Sequence, residues 1–136
     1  MKNFNELMNV NENLHAEPNH SDVMALCLEI RAQLQLIHWQ LTDSTKHELL
    51  KEIYDDFQDE MDDLVEMLIA LYGPIKLTRQ LNILNIEEVG DLMLWAKRIV
   101  MDFESLSLKF PSVAVKHEIA DICEVFTKMM YKLTLT

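Results

Sequence analysis

Apolar residues recur along most of this chain at alternating steps of three and four, the rhythm of a helix with one buried face. Val23, Leu26, Ile30, Leu34, Ile37 and Leu41 predict helix A over about 22–41, with Ser21 as N-cap and Asp22 in the first turn. Thr42-Asp43-Ser44-Thr45 is a run of turn and cap formers. Helix B starts there, with His47, Leu50, Tyr54, Phe57, Met61, Leu64, Leu68 and Leu71 in its seam, and ends at Tyr72 before Gly73-Pro74. Asn85 with Glu88 three residues on reads as a capping box. It opens helix C, about 86–109, with Val89, Met93, Ala96, Val100, Phe103 and Leu106 inward. Gly90 weakens its first turns by about 1 kcal/mol relative to alanine. Phe110-Pro111-Ser112 breaks the chain again, and Val115, Ile119, Ile122, Phe126, Met129 and Leu133 draw helix D over about 113–133.

The connections decide how four such helices are arranged. The A–B and C–D turns are short, so each pair is antiparallel. Residues 75–85 are too irregular for a long helix and too apolar, with Ile75, Leu77, Leu81, Ile83 and Leu84, for a free linker. They are expected as a crossover packed on the helices. The expected fold class is all-α, a four-helix bundle with a B–C crossover segment, the connectivity of ferritin-like folds. Two domains follow: a flexible tail over 1–20, with six asparagines and no apolar period, and the bundle over 21–136.

Composition narrows the class. A chain of 136 residues is enough for one core, and 2 glycines and 3 prolines are too few for the turns of a sandwich or barrel. A formal net charge of -11, with the basic residues spread along the chain, excludes nucleic-acid binding by direct electrostatics and repels anionic membranes. No run of about 18 apolar residues exists to span a membrane. Cys27 and Cys123 lie within apolar helical runs and read as small buried hydrophobes. With no apolar stretch at the N-terminus, this points to a cytoplasmic protein. No phosphate loop, zinc spacing or nucleophile with a base is present.

The chemistry is concentrated in helix B. Between His47 and Glu66 stand nine carboxylates and one lysine. Glu48, Glu52, Asp55, Asp59, Asp62 and Glu66 form one stripe beside the apolar seam. Such a stripe is often only a solvated face. An internal di-iron site would need Glu-x-x-His on two helices. His38, His47 and His117 lack it, and the two matches, Glu12–His15 and Glu17–His20, lie in the tail. His117 reads as a surface residue, Trp39 and Trp95 as packing residues, and His47 as a cap or core residue unless it is a ligand.

His38-Trp39-Gln40, His47-Glu48-Leu49-Leu50 and Asp62-x-x-x-Glu66 together resemble the Dps-type mini-ferritins. They also resemble a group of small phage-encoded proteins with no established activity, which share the Tyr131-Lys132-Leu133-Thr134-Leu135 end. The resemblance implies a metal site between two subunits, with His38 and His47 from one and Asp62 and Glu66 from its mate. It implies iron as the ion, with manganese or zinc compatible with the same ligands, and oxidation of Fe(II) as the activity. It also implies a homo-oligomer. The chain departs from the family at Lys51, where a carboxylate is expected, and in a shorter spacing from His38 to His47; Glu48 or Glu52 would be the substitute ligand. The alternative is a non-enzymatic interaction or structural protein of phage type, with the same bundle and no metal, whose acidic face binds a basic protein partner.

Overall fold

The structure is a computed structural model and describes residues 19–136. Over these residues the chain is all-helical: α1 (His20–Gln40), α2 (Ser44–Tyr72), the single turn α3 (Ile86–Val89), α4 (Leu92–Ser107) and α5 (Val113–Leu133). Helix α1 packs on α2, α2 on α5, and α5 on α4. The expected tail lies outside the described residues except for Asn19 and His20. With it lie Glu12, His15 and Glu17.

The expected seams are the core. Ile30, Leu34 and Ile37 of α1, Leu50, Phe57, Leu64 and Leu68 of α2, Ala96, Val100 and Phe103 of α4, and Val115, Ile119, Ile122, Phe126 and Met129 of α5 are all buried. Phe57 is at the centre. It meets Phe103 and Phe126 edge-on, with ring centroids 6.3 and 5.4 Å away. Phe110, between α4 and α5, is also fully buried and lies 6.1 Å from the Tyr72 ring. A residue read as part of a chain break is thus a core residue that pins that turn to the end of α2.

Two parts of the helix pattern differ from the sequence expectation, each for a local reason. Helix α1 begins two residues early, because Asn19 caps it by accepting from the Ser21 N–H at 2.8 Å. Ser21 is freed from capping, and its hydroxyl accepts the Lys76 N–H. His20 then reaches the carbonyl oxygens of Gly73 and Pro74, at 2.9 and 3.2 Å from Nε2. Helix C is split. Gly90 takes φ +76°, a conformation that L side chains resist, and Asp91 recaps the chain by accepting the Leu94 N–H. The capping box at Asn85 and Glu88 is formed as expected, but it serves α3 alone. Trp39 and Leu71 are not packing residues: they are 65% and 52% exposed. Trp95 does pack, edge-on to Phe126.

The crossover, 73–85, runs beside α1 in the same direction and contains no helix. A row of polar side chains on α1 holds its backbone. Glu29 accepts the Asn82 N–H at 2.6 Å and the Arg79 guanidinium at 2.9 Å. Gln33 both accepts the Leu84 N–H and donates to the Leu84 carbonyl, each at 2.8 Å. Gln40 accepts the Ile86 N–H at 2.8 Å. The extended segment cannot pair its own peptide groups, so α1 does it.

Candidate metal centres

The short turn between α1 and α2 places His38, three residues from the end of one helix, beside His47, in the first turn of the next. Their rings stack with centroids 3.9 Å apart and planes 25° from parallel. Each ring is tied to the other's backbone: His38 Nδ1 is 2.7 Å from the His47 carbonyl oxygen, and His47 Nδ1 is 2.7 Å from the His38 carbonyl oxygen. A carbonyl oxygen only accepts, so both Nδ1 atoms carry a hydrogen. In the neutral rings Nε2 is then the basic nitrogen on each. Metal-binding histidines are commonly oriented in this way, with one nitrogen donating to a carbonyl and the other free for the ion.

Asp62 and Glu66 lie further along α2 and are exposed. Asp62 is fifteen residues from His47, about 22 Å at the helical rise, so the two halves of the expected site do not meet within one chain. Two other acidic residues of the stripe are engaged elsewhere. Glu52 accepts from Lys128 and Lys132 of α5, both at 2.8 Å, and these lysines hold its carboxyl below the usual range. It is therefore not free to replace the missing ligand. Lys51 is turned to Asp55, 3.4 Å away on the surface. Glu48 is exposed and has no ion pair among the described residues.

A second cluster was not foreseen. Glu60 of α2 meets Glu118 and Asp121 of α5, with one carboxylate oxygen from each lying within 4.8 Å of the others. Burial, a hydrogen bond with Glu60, and the charges of Glu60, Asp63 and Asp121 push the Glu118 carboxyl up to about 8. Its Oε1 is buried without a partner. Asp56, Asp59, Glu60, Asp121, Glu124 and Lys128 line a groove of about 390 Å³ beside it. Glu118 thus keeps its proton more readily than an ordinary carboxyl; the oxygens of the cluster suit a hard cation. The signal in the sequence is Glu118 and Asp121 three apart on α5. Only packing puts Glu60 opposite them.

The cysteines offer no site. Burial pushes the Cys27 thiol up to about 12, and burial with the Glu104 charge pushes Cys123 up to about 11, so neither forms a thiolate readily. His117 is exposed, as expected. Among the described residues no helix is long and apolar enough to cross a membrane.

No curated protein and no solved structure matches this chain. A protein family does, over residues 38–133. The match opens at His38 and spans His47, Asp62, Glu66 and the Glu60–Glu118–Asp121 cluster, leaving most of α1 outside it. By that match the chain belongs to the family of unknown function DUF5856.

Proposed function

We propose that the protein is a ferritin-like four-helix bundle that binds a transition metal, with iron the leading candidate and manganese or zinc compatible, between two copies of the chain. His38 and His47 of one copy supply imidazole nitrogens, and Asp62 and Glu66 of another supply carboxylates. The observation that carries this reading is the stacked histidine pair, whose Nδ1 atoms are both committed to backbone carbonyls. The Nε2 atom of each ring then remains for a cation. Trp39, exposed beside His38, supports a subunit contact at this end of the molecule, since a large aromatic there is otherwise left in water. Bound iron would supply redox chemistry. Oxidation of Fe(II) for sequestration, with dioxygen or a peroxide taking the electrons, is the activity proposed, with the histidines holding the ion and the acidic stripe raising the local concentration of cations.

A second reading is favoured by Glu52 and Lys51. One carboxylate is locked to α5 and one ammonium stands where the mini-ferritins have a ligand, which suits a bundle that keeps the shape without the ion. The exposed acids of α2 would then dock a basic protein.

Titration calorimetry with Zn(II) and anaerobic Fe(II), on protein purified without a histidine tag, separates the two. The metal reading expects binding that is lost in His38→Ala with His47→Ala. It expects assembly by sedimentation velocity that is lost in Asp62→Ala with Glu66→Ala, and both responses kept in Glu118→Gln. Binding that survives removal of the histidines but not of Glu118 would move the ion to the carboxylate cluster. No binding at all would leave the interaction protein.

A further inference from the structure

Helix α4 packs mainly on α5, with Phe103 also meeting Phe57 of α2, and its outward face is not a solvated face of the usual kind. Leu94, Met101 and Leu108 are 61%, 59% and 84% exposed. They stand seven residues apart, so they drift by only about 20° from one to the next and form a single line. Leu108 is the C-cap but keeps helical dihedrals, so the line continues through it. The opposite side of the helix, Ala96, Ile99, Val100 and Phe103, is the core. Three large apolar side chains in water on a helix of 16 residues and its C-cap are a recognition seam without a partner among the described residues.

The residues beside the line name the partner. Lys97 and Arg98 precede Met101, and Ser105 and Glu104 follow it, all exposed and within about 60° of the line. Arg98 and Glu104 have no ion-pair partner among the described residues. In an antiparallel pair of such helices with a two-fold axis at Met101, residues equally far before and after Met101 face one another. Leu94 then meets the other copy's Leu108, and Arg98 meets its Glu104, twice over. The face is therefore complementary to itself in apolar contact and in charge. It also holds two cations and one anion in a chain of net charge -11. Self-association there avoids the repulsion that opposes it across the acidic α2. A groove of about 780 Å³ between α4 and α5, lined in part by Met101, Leu108, Ala120 and Cys123, borders the line and gives a partner's side chains room to seat.

We propose that α4 pairs with α4 of a second copy, antiparallel about Met101. The pairing is separate from the metal-dependent contact proposed above and needs no ion. A face of this length lies near the lower bound of about 1,000 Å² for a specific interface, so the dimer is reversible.

Sedimentation velocity over a concentration series, with chelator present, is the first measurement, and a monomer throughout overturns the proposal. Met101→Asp places two like charges on the axis and is expected to weaken the dimer at least about tenfold while circular dichroism is unchanged. Should that variant lose helix, Arg98→Glu and Glu104→Arg serve instead: each alone weakens the dimer, and the two together restore it. Direction is read by disulfide formation in a Cys123→Ser background. Leu94→Cys mixed with Leu108→Cys should cross-link, and Leu94→Cys alone should not. Cross-linking of Leu94→Cys with itself, or no restoration by the double charge swap, overturns the antiparallel register.

Discussion

At His38 and His47 the informative property is which nitrogen is occupied. The two Nδ1 atoms are spent on carbonyls 2.7 Å away, so the rings are fixed in place before any ion arrives. This lowers the ordering cost of binding. Glu118 shows the opposite situation, a carboxyl placed among carboxylates. In the folded chain it holds its proton up to about 8, against an ordinary value of 4.5. Between those values the folded protein carries more protons than the unfolded one, so stability falls as pH rises across the window. Glutamine resembles the protonated carboxyl and has nothing to lose. Glu118→Gln should therefore unfold like the parent near pH 4.5 and be more stable near pH 8. The gain is on the order of 1 kcal/mol, because the side chain is partly open to water. Urea unfolding at the two pH values checks this. A variant less stable than the parent at pH 8 would mean that the carboxyl is ionised and useful there.

Among the elements, the crossover depends most on a few side chains. Residues 73–85 have no helix or sheet partner, and Glu29, Gln33 and Gln40 of α1 take the place of one. Gln33 is 5% exposed and satisfies both peptide groups of Leu84. Gln33→Leu would leave that N–H and that carbonyl without a bond and is expected to cost about 2 kcal/mol. Amide exchange should localise the loss: protection at Leu84 falls first, while Phe57 and Phe126 stay protected until global unfolding. If Leu84 exchanges equally fast in both proteins, the segment is held by Leu81 and its apolar neighbours instead.

For the whole molecule, two contacts are proposed on different faces, one on α2 with the histidine end and one on α4. They are separable. Asp62→Ala with Glu66→Ala should abolish the response to metal and leave the α4 dimer. Met101→Asp should abolish the dimer in chelator and leave assembly by metal. A protein with both contacts can build more than a pair, because each copy then has two different interfaces. Sedimentation velocity of both variants, with and without metal, reads the four cases. If either variant removes both associations, the two faces belong to one interface.

The sequence by itself determined most of the helical segments and their seams, since these depend on local periodicity and on caps such as Asn85. The resemblance to the mini-ferritins singled out His38 and His47, and the short turn between α1 and α2 stacks their rings. Gly90 was read as a weak point and proved to be a break, because Asp91 could cap a new start; that is a competition between two local structures, and periodicity alone does not resolve it. What only the tertiary structure decided depends on which faces meet. Glu60 and Glu118 are far apart in the chain and are brought together by the packing of α2 on α5. Glu52, expected as a substitute ligand in the acidic stripe, is held by Lys128 and Lys132 for the same reason. Leu94, Met101 and Leu108 repeat as regularly as any core seam does. Only the packing of α4, with its other face inward, leaves that line in water.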